Sequence, residues 1–214
     1  MAQNKTRLLE ILKGQPVVPV VAVETAEEGV QLARALAAGG LRSIEVTLRT
    51  PAALEAIAAI CDEVPEAICG AGTILTPKQF EAVERIGVQY VVSPGATMEL
   101  LDAAKDSDVP FLPGAATPSE MMAMMQEGYE VLKFFPAEQV GGAKLLKSIA
   151  PVFPALRFCP TGGISMDNVG SYFALPNVVC VGGSWVAPKD MVASGDWAGI
   201  TQLAKEASAL QRKG

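Results

Sequence analysis

Short apolar, β-branched runs recur along the chain, and each is followed by an Ala/Leu/Glu-rich stretch with apolar residues at i, i+3 and i+4. The first pattern fits buried strands and the second fits amphipathic helices. Strands are predicted over 17–23, 41–48, 67–72, 89–93, 109–114, 130–135, 156–160 and 178–182. Helices are predicted over 26–38, 51–63, 77–86, 97–105, 118–127, 138–149, 166–174 and 198–211, with an extra helix near 4–13 ahead of the first strand. Several helices open with a capping Thr, Ser or Asp and a Pro in the first turn, as in T-P (50–51), T-P (76–77) and T-P-S-E (117–120). Eight alternating βα units predict an α/β fold, a single-domain (β/α)8 TIM barrel over 1–214 with the extra N-terminal helix. A doubly wound open sheet is the alternative.

A barrel gives the polar strand residues a meaning, because side chains of one parity point inward and sites form where strands end. In the second strand Ser43, Glu45, Thr47 and Arg49 share one parity, opposite to Ile44, Val46 and Leu48. In the sixth, Val131, Lys133 and Phe135 face inward while Leu132 and Phe134 pack against helices. Glu45 and Lys133, far apart in sequence, can therefore meet in one cavity.

Composition narrows the chemistry. Of 214 residues half are hydrophobic and 19% charged, enough for one substantial core. A net charge of −6 without a Lys/Arg block argues against a nucleic-acid partner. The N-terminal stretch mixes charges with apolar residues and lacks the pattern of a signal peptide, and no segment has the length of a membrane span, so a cytoplasmic location without a membrane partner is expected. There is no histidine, so no Ser-His-Asp or Cys-His pair and no His-ligated zinc can be built. Cys61, Cys69, Cys159 and Cys180 lack C-x-x-C spacing; all four are read as buried thiols, three of them in strands, without disulfide or metal roles.

Proton transfer then falls to carboxylates, lysine, tyrosine or water. Lys133 lies in the apolar run E-V-L-K-F-F-P (130–136). Lost hydration disfavours its ammonium form and makes a neutral, nucleophilic amine accessible, as Schiff-base chemistry requires. A strand-end lysine whose stem covers apolar surface is the alternative. Glu45 is the candidate general acid and base, or simply an ion-pair partner for Lys133 or Arg49. Arg49 offers a planar fork for a carboxylate, and Thr73 of G-A-G-T (70–73) a hydroxyl for the same anion. T-G-G-I-S (161–165) and G-G-S-W (182–185) follow the last two strands, where exposed amides can hold a phosphate, with Ser184 adding its hydroxyl. Two tight turns without a ligand are the alternative. The M-M-A-M-M run (121–125) reads as adaptable packing, or as a subunit contact where exposed.

With V-T-L-R-T (46–50), G-A-G-T (70–73), S-P-G (93–95), K-F-F-P-A-E (133–138), F-C-P-T-G-G-I (158–164) and G-G-S-W (182–185) in this order, the chain closely resembles the 2-keto-3-deoxy-6-phosphogluconate (KDPG) and 4-hydroxy-2-oxoglutarate (KHG) aldolases over nearly its full length. The resemblance implies a (β/α)8 barrel, a homotrimer and cofactor-free, metal-free class I aldol chemistry in the Entner–Doudoroff pathway. Its substrates would be small 2-oxo acids and sugar phosphates. Lys133 matches the family's Schiff-base lysine and Glu45 its proton-transferring carboxylate. Arg49 and Thr73 match residues holding the pyruvate carboxylate, and Pro94 and Phe135 positions lining that pocket. Gly162, Gly163, Gly183 and Ser184 fall at the phosphate end, and Thr161 at a position linked to stereochemical control. Many relatives carry a basic residue at the end of the first strand, where this chain has Val23-Glu24. Other expectations that the pattern leaves open are a different sugar-phosphate barrel enzyme and a non-catalytic trimeric scaffold.

Overall fold

The computed structural model describes residues 4–211; the ends of the predicted 1–214 domain lie outside that range. The described residues form parallel strands alternating with helices: α1 (Lys5–Lys13), β1 (Val17–Val21), α2 (Ala26–Ala38), β2 (Ser43–Thr47), α3 (Ala53–Glu63), β3 (Ile68–Gly72), α4 (Pro77–Ile86), β4 (Tyr90–Val92), α5 (Met98–Lys105), β5 (Phe111–Leu112), β6 (Gly114–Ala115), α6 (Pro118–Gln126), β7 (Val131–Phe134), α7 (Gly142–Ile149), β8 (Arg157–Pro160), α8 (Val169–Phe173), β9 (Val181–Gly183), α9 (Lys189–Ser194) and α10 (Trp197–Ser208). One sheet runs β5-β4-β3-β2-β1-β9 and a second runs β6-β7-β8.

Two local features account for this division. The predicted strand 109–114 is split by Pro113, which has no N–H to give a ladder. Its first half, β5, pairs with β4, and its second half, β6, pairs with β7. The Pro113 carbonyl still accepts from the Lys133 amide at 2.9 Å. Between β8 and β9, isolated bridges join Phe158 to Val178 and Thr161 to Gly182. The segment leading into β9 has one more residue than β8 between those bridges, which is a bulge. Val179 and Cys180 both pack into the inner core as a result.

The caps explain where several helices begin. Thr76 and Thr117 form complete capping boxes with Gln79 and Glu120, each followed by Pro in the first turn. Thr50 behaves differently from expectation. Its hydroxyl donates to the Val23 carbonyl at 2.6 Å, so it ties the end of β1 to the β2 loop, and α3 starts later with Ala52 at its cap. The helix predicted over 138–149 starts only at Gly142, because residues 135–141 are spent on a turn that follows a cis Phe135–Pro136 peptide. The short helix α9 lies in a stretch read as connection.

Apolar residues sort into two clusters. The larger fills the space between strands and helices, with Leu36, Ile44, Val46, Ile57, Phe80 and Phe134 among its members. The smaller lies on the inner side of the strands and contains Val18, Tyr90, Val92, Leu112, Val131 and Cys159, with Leu8, Ile11 and Leu12 of α1 packed against them. Helix α1 thus covers the end of the strands where β1 begins, the end opposite to Arg49 and the glycine loops. Gln15 fixes this cover: its side chain donates to the Val17 and Ser43 carbonyls and accepts from the Ser43 amide at 2.7 Å. Burying that amide stays favourable because all its partners are present.

The four cysteines are thiols. Cys61 is only half-buried, and Cys180 lies in the bulge just before β9 rather than in a strand, which corrects those two expectations. The bulge places the Cys180 sulfur 3.4 Å from that of Cys159. Among the described residues no helix is long and apolar enough to cross a membrane, and no group of three or more Cys, Asp or Glu could hold a metal ion.

Candidate active site

Strand parity builds the centre of the site. β2 buries Glu45 and β7 buries Lys133, each 3% exposed. Lys133 Nζ donates to Glu45 Oε1 at 3.0 Å, so two groups 88 positions apart form one ion pair within the apolar interior. Each charge has lost most of its hydration, and the contact replaces it. At 3.0 Å a proton can pass between the two with little movement of either side chain. The amine also lies 5.4 Å from the centre of the ring of Phe135, just past the end of β7.

Glycine makes room for this pair. In β3, Gly72 lies opposite Thr47 of β2, and a Cβ on Gly72 would sit 2.7 Å from the Glu45 carboxyl carbon. Gly70 acts in the same way a layer lower, where a Cβ would collide with the Tyr90 ring. In sequence G-A-G-T reads as a strand end with anion donors; in the fold its first task is to leave space for a carboxylate and a phenol.

Above the pair, on the side where the strands end, lies a cavity of about 150 Å³ lined by Val20, Arg49, Phe135, Thr161, Gly162, Gly163, Ile164, Gly182 and Ser184. Arg49 is its only charged lining residue among the described residues. Arg49 Nε donates to Thr73 Oγ1 at 3.3 Å. Thr73 holds a φ of 60°, a left-handed conformation that costs a β-branched residue about 1–3 kcal/mol. Its hydroxyl is thereby turned toward the guanidinium.

The expected site residues separate into groups. Lys133 and Glu45 meet, and Arg49, Phe135, Thr161, Gly162, Gly163 and Ser184 line one cavity. Thr73 reaches that cavity through Arg49. Lys133, Glu45, Thr73, Pro94 and Gly183 are not among the lining residues. The Pro94 carbonyl group packs against Gly114, and Gly183 against the Trp185 ring. Val20, Ile164 and Gly182 line the cavity in addition to the residues that sequence singles out. Inward parity in β1 is the available signal for Val20. Gly182 and Ile164 lie within the two glycine motifs.

Outside the cavity, Tyr90 and Tyr172 are among the residues with displaced titrations. Burial and the nearby Glu45 carboxylate push the Tyr90 phenol well above its ordinary value. Burial followed by the hydrogen bond to Glu138 raises that of Tyr172.

The model of the KDPG and KHG aldolase family matches residues 8–203. The KHG/KDPG aldolase of Escherichia coli K12 is 52% identical over 207 residues, 97% of each chain. The 2-dehydro-3-deoxy-phosphogluconate aldolase of Dickeya dadantii is 51% identical over 209 residues, 98% of each chain. Among solved structures, KDPG aldolase from Legionella pneumophila, with pyruvate captured at low pH as a covalent carbinolamine intermediate, superposes with a TM-score of 0.93. It is 44% identical, over 96% of this chain and all of that one.

Proposed function

Because the chain belongs to the KDPG and KHG aldolase family, we propose that it is a class I aldolase, a lyase that cleaves 2-keto-3-deoxy-6-phosphogluconate to pyruvate and glyceraldehyde 3-phosphate in the Entner–Doudoroff pathway. The observation that carries this reading is the buried Lys133–Glu45 pair at 3.0 Å beneath a cavity with a guanidinium and two glycine loops on its walls. Cleavage of 4-hydroxy-2-oxoglutarate to pyruvate and glyoxylate uses the same steps, and the name of the Escherichia coli relative supports it.

In this mechanism Lys133, having passed a proton to Glu45, attacks the C2 ketone to give a carbinolamine. Glu45 returns the proton to the departing hydroxyl, and water leaves to give the iminium. Glu45 then takes the C4 hydroxyl proton while the C3–C4 bond breaks. The bonding pair moves onto the iminium, which releases the aldehyde and leaves an enamine. Protonation of the enamine at C3 and addition of water return pyruvate and free Lys133. Arg49, with Thr73 beside it, holds the substrate carboxylate, and Phe135 and Pro94 shape that end. Thr161, Gly162, Gly163, Gly183 and Ser184 serve the aldehyde and phosphate end. Fixing both ends holds C2 against the amine. No cofactor or metal enters any step.

The same reading treats β5 and β6 as one strand across Pro113 and the bulged bridges as the seam between β8 and β9, which closes a single-domain (β/α)8 barrel. It includes a homotrimer, supported by exposed Met122 and Met125 of the methionine run and by exposed Met98 and Leu75. It also includes a cytoplasmic location, which the four reduced cysteines favour.

The test is borohydride reduction in the presence of pyruvate. Intact-mass and peptide spectra should show one reduced pyruvate on Lys133, absent in Lys133→Ala. An unmodified chain would overturn the Schiff-base reading.

A further inference from the structure

The loop after β8 has its carbonyls tied down one by one. The Ala137 amide donates to the Thr161 carbonyl at 2.8 Å and the Glu138 amide to the Gly162 carbonyl at 3.1 Å. Asn168 Nδ2 donates to the Gly163 carbonyl at 2.9 Å, and Asn168 Oδ1 accepts from the Ser165 amide at 2.9 Å. In a trans peptide the C=O and the following N–H point in opposite directions. Holding each carbonyl therefore aims the amide that follows it, in turn those of Gly162, Gly163 and Ile164, away from the group that holds it. All three residues line the cavity. The parallel bridge between Thr161 and Gly182 turns the Gly162 amide to the Gly182 carbonyl, whereas the amides of Gly163 and Ile164 have no acceptor among the described residues. The left-handed φ values of Gly162 (106°) and Gly163 (75°) permit the arrangement.

Asn168 stands at the N-cap of α8, a position where its side chain would ordinarily cap the helix. It makes no such bond. Both ends of its amide are spent on the preceding loop instead.

We propose that Asn168 is a positioning residue that aims the Ile164 amide, as a backbone donor beside that of Gly163, at the phosphate of the substrate. The proposal rests on the aldolase reading above and deepens it: this end of the site recognises a phosphate through peptide N–H groups, one of which depends on a side chain outside the cavity. Charge-assisted bonds of this kind are sensitive to direction, so losing the tether weakens phosphate recognition and leaves the amine chemistry alone.

The experiment compares wild type with Asn168→Ala and Asn168→Asp; the second keeps the acceptor for Ser165 but loses the donor to Gly163. Expected is a rise in KM for the phosphorylated substrate of about tenfold in both, with kcat/KM for 4-hydroxy-2-oxoglutarate and the rate of pyruvate methyl exchange within about twofold. Equal losses on both substrates, or no loss on either, overturn the proposal. A second measurement needs no variant: titrating wild type with inorganic phosphate should shift the amide NMR signals of Gly163 and Ile164, and an unmoved Ile164 signal beside a moving Gly163 signal overturns it too. The borohydride adduct with pyruvate separates the two levels. Wild type that forms the adduct while the KM ratio stays fixed rejects only the role of Asn168; wild type that forms none rejects the aldolase reading.

Discussion

Replacing Gly72 by Ala probes the site through geometry alone, since it adds one methyl group and changes no charge. That carbon would sit 2.7 Å from the Glu45 carboxyl carbon, and the nearest atoms around it all belong to Glu45. Ordinary contact begins near 3.4 Å, so the carboxylate must retreat by roughly 1 Å, given the limited ability of a packed interior to yield. The partner is Lys133, 3.0 Å away in the present arrangement, and a retreat of that size carries the pair out of hydrogen-bond range. A misplacement of a reacting group by about 1 Å costs about 100-fold in rate. Stability should fall by about 1–3 kcal/mol, the usual range for overpacking. The assay is deuterium exchange into the pyruvate methyl group, which reads proton transfer at the enamine without an aldehyde. Thermal melting of the same samples separates a folded, slow enzyme from an unfolded one. Exchange within about threefold of wild type in a folded Gly72→Ala protein would refute the claim that Glu45 acts from the position seen here.

Other outcomes follow from the same geometry. Lys133→Met leaves the Glu45 carboxylate buried without its cation and should cost about 3–5 kcal/mol in urea unfolding, while Lys133→Met combined with Glu45→Gln should recover most of that loss; equal stabilities of the single and double variants would contradict it. Tyr90→Phe removes a fully buried hydroxyl that has no hydrogen-bond partner among the described residues and should raise stability by about 1 kcal/mol, or a few degrees in Tm; a lower Tm would show the hydroxyl to be satisfied. Burial raises the Tyr129 phenol from 10.0 to about 12. The stability it contributes is therefore complete below pH 10 and lost as pH rises through about 12, so Tyr129→Phe should flatten the decline of Tm across that window, and an unaltered decline would refute the assignment. Gly182→Ala puts a carbon 2.9 Å from Thr161 Cγ2 on the cavity wall and should lower kcat/KM for the phosphorylated substrate while sparing the pyruvate adduct with borohydride; normal kinetics would place substrate elsewhere.

Amino-acid order alone determined the alternation of elements, because periodicities of about 2 and 3.6 reflect which side of each element must be buried. The helix over 26–38 and the strand residues around Glu45 and Lys133 fall where that pattern places them. Inward parity brought Lys133 and Glu45 toward one cavity, the lack of any histidine left proton transfer to carboxylates, lysine, tyrosine or water, and the ordered motifs named the family. Only the tertiary structure decided how far apart these groups stand, since a 3.0 Å contact across 88 residues depends on the register of strands and on the space left by Gly72. It also decided that Thr50 serves β1 instead of capping α3, that Pro113 divides its strand between two partners, and that Asn168 binds the loop before it. In each case one residue had two chemically acceptable partners. Local sequence offers both, and packing selects the one whose hydrogen bonds can be completed in the space available.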